Sequence, residues 1–171
     1  MTLWLPIAAQ RPWGADPDVK VIGIGREGVA EVFPVALPLL AQALTAGRLG
    51  VMDRIDAESL YRLLTEPMKN PETGEEGAAM QLFAIIDTKA KCMLGALVTE
   101  IISYPRKRVF SLALIGGVEA ERWIDCIHDL ELWAKDQGCE QVEVPGRIGW
   151  QRVLRGLGYQ PVTYTCAKEI A

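Results

Sequence analysis

Histidine occurs once in this chain of 171 residues, and the four cysteines are scattered. A single His128 argues against a histidine-built zinc site. Cys92, Cys126, Cys139 and Cys166 never approach a C-x-x-C spacing, so they read as separate reduced thiols and no metal is expected. No window reaches the ~18 apolar residues that span a bilayer. The opening stretch "MTLWLPIAAQRPWG" lacks the charged start of a secretory signal, and Pro6 interrupts its short apolar run. A cytoplasmic protein without a membrane partner is expected. Basic residues are also in deficit: 18 Lys and Arg against 22 Asp and Glu leave a net charge of −4. That balance argues against generic nucleic-acid binding, which leans on many phosphate contacts. The cluster "PRKR" (105–108) has no interleaved aromatics and reads as a charged hairpin turn. Repeats, low-complexity segments and rich linkers are missing, which leaves one folding unit.

Half the residues are apolar and 23% are charged, which suits a globular domain with a real core. "VKVIGIG" (19–25) alternates, is β-branched and closes on glycine, the pattern of a strand. In 32–47, Phe33, Leu37, Leu40 and Leu44 recur at helical spacing, with Gly47 placed as a stop. Pro34 and Pro38 suit a first turn or a kink. "DAESLYRLLTE" (56–66) has Asp56 as N-cap, Leu60, Leu63 and Leu64 on one side, and Pro67 as terminator. The Pro/Gly-rich, acidic 67–77 is a loop. The period then changes to two. Segments 80–87 and 92–104 form an antiparallel hairpin, with Gly95 marking a bulge, and 109–115 adds a third strand. The longest helical signal covers 116–138. Trp123, Ile127, Leu130 and Ala134 line its inner side, while Arg122, Asp125, Asp129 and Asp136 lie outside. Strand 139–144, helix 148–158 and strand 159–170 complete the chain, with Trp150 and Leu154 facing inward and Val153 or Leu157 beside them. The order β–α–α–β–β–β–α–β–α–β predicts a layered α+β domain. The crossover between 109–115 and 139–144 makes those two strands parallel, with a right-handed connection. Residues 1–18 read as an N-terminal extension and 19–171 as the domain. Trp4 and Trp13 in the extension either fold back across the domain or meet a protein partner or a second copy.

Several segments carry a family resemblance. "LELWAKDQGCEQVEV" (130–144) with "VLRGLGY" (153–159) resembles the helix, fifth strand and "LGY/F" helix end of the GNAT acetyltransferase superfamily. "PLLAQAL", "LVTEIISYPRKRV" and "GRIGWQRVLRGLGY" are similar to small GNAT-like proteins of tailed phages and prophages. The resemblance runs from about Val19 to Ile170. It implies a mixed, mostly antiparallel sheet of about six strands with helices on both faces, in three α/β/α layers. It also implies acetyl-coenzyme A as cofactor and an amine as acceptor. In the family the pantetheine arm enters where strands four and five splay, and a Q/R-x-x-G-x-G/A loop opening the third helix holds the pyrophosphate by its backbone amides.

Carried onto this chain, the cofactor positions are Leu114, Ile115, Gly116, Gly117 and Val118, with Arg147 and Arg152 on the later basic helix as phosphate partners. The loop here reads "IGGVEAER" (115–122), without the family pattern, and Glu119 and Glu121 occupy the first helical turn. Carboxylates there compete with a diphosphate for the amide donors. Together they would cost on the order of 2–3 kcal/mol, moving a micromolar site toward 0.1 mM, and their removal would strengthen binding. The family's acid tyrosine, four residues before the glycine of "LGY", is replaced by Leu154. Tyr159 reads as a packing residue. Ser111 is too weakly basic for a general base, which leaves Glu100 as the nominated carboxylate. These departures favour a phage- or prophage-type GNAT-fold protein that binds no cofactor tightly and serves in the particle, its assembly or host interaction. The alternative is an acetyl-coenzyme A-dependent N-acetyltransferase with an atypical pyrophosphate loop.

Overall fold

The computed structural model describes residues 3–4, 16–45, 55–69, 74, 76–146 and 148–162. Strand β1 (Leu3–Trp4) lies at one edge of a six-stranded sheet. It is followed by β2 (Val19–Ile24), a 3-10 turn, helix α1 (Val29–Thr45) and helix α2 (Ala57–Thr65). A small two-stranded ladder, β3 (Met68–Lys69) and β4 (Glu76–Gly77), stands within the segment expected as a loop. The main sheet continues with β5 (Gln81–Asp87), β6 (Cys92–Tyr104) and β7 (Lys107–Gly117). Helix α3 (Ala120–Trp123), a 3-10 turn (Ile124–Cys126), α4 (Ile127–Asp136), β8 (Gln141–Glu143) and α5 (Ile148–Arg155) complete it.

The sheet order is β1-β2-β5-β6-β7-β8. All neighbours pair antiparallel except β7 and β8, which run parallel. This is the expected mixed sheet. Its first edge, however, comes from the opening stretch, and the strand expected at 159–170 lies largely outside the described residues. The bulge expected at Gly95 is present: Ile85 pairs with Gly95 and Ile86 with Met93, so Leu94 is the extra residue.

The sheet divides the apolar side chains into two cores. On one face Leu40, Leu60 and Leu64 of α1 and α2 pack on Leu82, Ala96 and Val98. On the other, Trp123, Ile127, Leu130 and Leu154 pack on Phe83, Leu97, Phe110 and Leu112. Leu157 joins this second core beside Trp150, whereas Val153 is exposed. Each fully buried Leu, Ile or Phe contributes about 1.5–3 kcal/mol over its exposed state, so both faces are held. The Asp56 side chain accepts from the Ser59 amide at 2.7 Å, the expected cap of α2.

Three expectations change. Helix α1 begins at Val29, and Pro34 and Pro38 are interior to it. Neither proline has an amide proton, so the carbonyls of Ala30 and Pro34 lose their helical donors. Both prolines are exposed, where water can take the donor's place. The long helix expected over 116–138 is broken. Gly116 and Gly117 belong to β7, and Trp123 leaves helical geometry at φ −128, ψ −5. The Trp123 indole is buried and donates to the Val118 carbonyl at 2.7 Å, which ties the first turn to the strand end. The chain then reorients through the 3-10 turn. Ile127, Leu130 and Ala134 of α4 keep the inner face expected of them, but Asp129, expected outside, is buried as well.

Candidate functional site

Strand β7 is paired with β8 only at Val109–Gln141, Phe110–Val142 and Ser111–Glu143. Beyond Ser111, β7 continues to Gly117 while β8 ends at Glu143 and the chain turns at Pro145-Gly146. The two parallel strands therefore form a fork that opens after Ser111, where the resemblance expects a splay. Leu114 and Ile115 on its β7 arm are buried core residues. Gly116 is half-buried, and Gly117 and Val118 are exposed.

The glycine pair has a packing role. A Cβ on Gly116 would lie 2.0 Å from the Leu39 carbonyl oxygen and 3.1 Å from the Leu40 Cα, so the backbone of α1 rests directly on the strand. A Cβ on Gly117 would lie 2.5 Å from the Leu94 carbonyl oxygen and 3.2 Å from the Trp123 ring. Neither glycine adopts a positive φ. Close approach of backbone and indole requires them.

Beyond the glycines, Glu119 sits in the left-handed region at φ 52, ψ 48, a conformation that favours glycine. Its carboxylate makes no cap bond to the α3 amides, contrary to the expected competition for those donors. It accepts instead from Arg122 Nη1 at 2.9 Å. Arg122 also donates from Nε and Nη2 to Asp16 Oδ2 at 2.9 and 2.8 Å, and from Nη2 to Asp87 Oδ2 at 2.7 Å. Asp87 Oδ1 accepts from the amides of Lys89 and Ala90 at 2.9 and 2.7 Å. Arg122 first, then the Asp18 amide, holds Asp16 below the ordinary carboxylate range. The Ala90 amide and then Arg122 do the same for Asp87. The guanidinium is pushed above its ordinary value by Asp87, Glu119 and Asp16 in turn. Sequence reasoning missed this cluster. Its members lie up to 106 residues apart, and no local pattern joins them.

Glu100 sits at the foot of the fork. It pairs across the sheet with Ser111, which pairs in turn with Glu143. Phe110 and Leu112 pack in the α4–α5 core, so the intervening Ser111 and its two partners lie on the α1–α2 face. Adjacent strands stand ~4.8 Å apart, which places the Cα atoms of Glu100 and Glu143 about 10 Å from each other. Burial, and then the Glu143 charge, raises the Glu100 carboxyl above its ordinary value. Such a shift brings a carboxylate closer to what a general base needs at neutral pH. Glu143 was not foreseen, because only the strand register brings it to Glu100.

The remaining nominated residues disperse. Arg152 is exposed on α5, and no hydrogen bond or ion pair joins it to Gly116, Gly117 or Val118. Arg147 lies outside the described residues, as do Trp13 and the side chain of Trp4. Leu154, in the place of the acid tyrosine, is 5% exposed and packed in the core. The Tyr159 hydroxyl donates to Glu131 Oε1 at 2.8 Å, and burial followed by that carboxylate pushes its pKa up. It anchors the end of α5 to α4, and His128 Nδ1 stands 3.2 Å from the other Glu131 oxygen.

A pyrophosphate fits this strand end poorly. The Val118 amide already donates to the Leu94 carbonyl at 2.8 Å and the Arg122 amide to the Glu119 carbonyl at 2.9 Å, so neither is open to a phosphate. The guanidinium beside it is already held by three carboxylates. Among the described residues no helix is long and apolar enough to cross a membrane, and no group of three or more His, Cys, Asp or Glu is placed to hold a metal.

No family model matches the chain. No curated protein matches its sequence. Solved structures do resemble it. An aminoglycoside acetyltransferase from an uncultured soil metagenomic sample aligns with a TM-score of 0.61 at 12% identity, covering 90% of this chain and 99% of that one. A putative acetyl transferase from Pyrococcus furiosus aligns at 0.60 and 15% identity, covering 89% and 99%. Glucosamine-6-phosphate N-acetyltransferase from Arabidopsis thaliana aligns at 0.58 and 13%, covering 90% and 99%. At these identities the likeness is one of architecture. The fold is that of the GNAT acetyltransferases.

Proposed function

We propose that this chain is a GNAT-fold protein of the phage and prophage type whose acetyl-coenzyme A binding and catalysis are degenerate, and which acts by contact in a particle, its assembly or host interaction. The observation that supports degeneracy is the strand end closed by the protein's own atoms: α1 backbone against Gly116, and beside it the Arg122 guanidinium held by three carboxylates. The phage-type role is supported by the sequence "GRIGWQRVLRGLGY" and its resemblance. The catalytic half is tested by following thiol release from acetyl-coenzyme A with a panel of primary amines. This reading expects no rate above spontaneous hydrolysis. The contact half is tested by fractionating particles from a host that encodes the chain. Recovery with particles or assembly intermediates supports it, and recovery only as free protein in uninfected, uninduced cells counts against it.

The contact surface is proposed to include the Trp4–Trp13 stretch. Replacing both tryptophans with serine should then change the protein's elution on gel filtration, alone or with its partner. An unchanged profile removes that part of the proposal.

One observation favours the second reading, an active acetyl-coenzyme A-dependent N-acetyltransferase. Glu100 stands at the foot of the fork with a carboxyl that holds its proton more tightly than usual. Turnover that depends on Glu100 would establish that reading and overturn the first.

A further inference from the structure

We propose that Arg122, with Asp16, Asp87 and Glu119, is a built-in charged clamp that fixes the strand end, the turn beside it and the incoming chain in one arrangement without a ligand. This inference rests on the reading that the cofactor site is degenerate.

Four observations carry it. First, the clamp stands at the junction of β7 and α3, where the resemblance places the pyrophosphate. Second, its arms reach three separate segments: Asp16 leads into β2, Asp87 ends β5, and Glu119 opens α3. Each segment is secured again locally. The Asp18 amide donates to Asp16 Oδ1 at 3.0 Å, and the Asp18 carbonyl accepts from the Thr88 amide and hydroxyl, both at 2.8 Å. Third, Arg122 serves all three carboxylates through every nitrogen of its fork, a planar geometry that lysine could not copy. Fourth, Glu119 holds a left-handed backbone that strains any residue with a Cβ. A glycine would relieve the strain but would give up the arm to Arg122. The charges are opposite and interlocked, so the region is already satisfied when no anion is bound. A diphosphate arriving there would meet three carboxylates and a guanidinium whose three nitrogens are all engaged.

The test is amide hydrogen exchange on the full chain, read in segments 16–18, 88–90 and 118–123, for the unaltered protein, Arg122→Gln and Asp16→Asn. Arg122→Gln should speed exchange about tenfold in all three segments together while β6 and β7 keep their protection. Asp16→Asn, a change at a partly exposed side chain, should loosen 16–18 and 118–123 and remains informative if Arg122→Gln fails to fold. Coenzyme A or inorganic pyrophosphate should change exchange in none of these segments in the unaltered protein. Loosening confined to the substituted residue's own segment overturns the clamp even where no cofactor binds. Protection of 118–123 by coenzyme A overturns both the clamp and the degenerate reading, so the two failures are told apart.

Discussion

Glu100 is the nominated carboxylate whose surroundings alter its hold on a proton. Burial and Glu143 raise its pKa above the ordinary 4.5, so the folded state binds its proton more tightly than the unfolded chain does. The sign follows by linkage. Glu100's stability contribution is fully present below the unfolded value and is lost as pH rises through the folded value. Glu100→Gln, which is neutral at every pH, should therefore raise the melting temperature at neutral pH. The gain should shrink to nothing in acid below 4.5. Paired thermal melts across that range check it, and a gain independent of pH would mean that packing, not charge, is responsible. Glu143→Gln should bring the Glu100 pKa part of the way back down, because the Glu143 charge is the smaller of the two causes.

Among the elements, β7 and α1 determine what the fork can do. Gly116 lets the α1 backbone touch the strand, and a methyl group at that position has no room beside the Leu39 carbonyl. Gly116→Ala should cost about 1–3 kcal/mol through overpacking. For a chain of this length that is a melting-temperature fall of about 2–4 °C per kcal/mol. An unchanged melt would show that α1 can slide away from β7. Helix α1 also carries a correctable defect. Pro38 is interior and exposed, so Pro38→Ala restores an amide donor to the Pro34 carbonyl. The helical gain of up to about 3 kcal/mol is reduced by about 0.4–1 kcal/mol, because the unfolded chain gains freedom. A net stabilisation of about 1–2 kcal/mol should appear in chemical denaturation, and a loss would mean that the ring packs against something. These elements also show what sequence reveals. Period and caps located β2, α2, the β5–β6 hairpin with its bulge, and the crossover of β7 and β8, because each signal is local. The Trp123 break was misread, and of the two places open to the prolines the first turn falls away. Water can satisfy an exposed helical carbonyl, and an indole can tie a turn back to the end of the preceding strand, yet neither effect has a period. The candidate site was half legible. Gly116, Gly117 and Glu100 are visible in the sequence, but Arg122, Asp16 and Asp87 meet only in the folded chain, and Glu143 reaches Glu100 only through register.

As a whole, the molecule is a sheet with two cores, held by α1 and α2 on one face and by α3, α4 and α5 on the other. The architecture is that of the acetyltransferases it resembles. On the degenerate reading proposed above, binding fails on different grounds from those the sequence suggested. Glu119 and Glu121 alone would leave a weakened site that their removal repairs. The structure adds an α1 backbone seated on Gly116 and a guanidinium already engaged, so replacing the two glutamates with glycine should not restore affinity. The most direct measurement is a calorimetric titration of the full chain with acetyl-coenzyme A. This account expects no heat of binding, or a Kd no tighter than about 0.1 mM. A low-micromolar Kd would contradict it and would make the fork a working cofactor site.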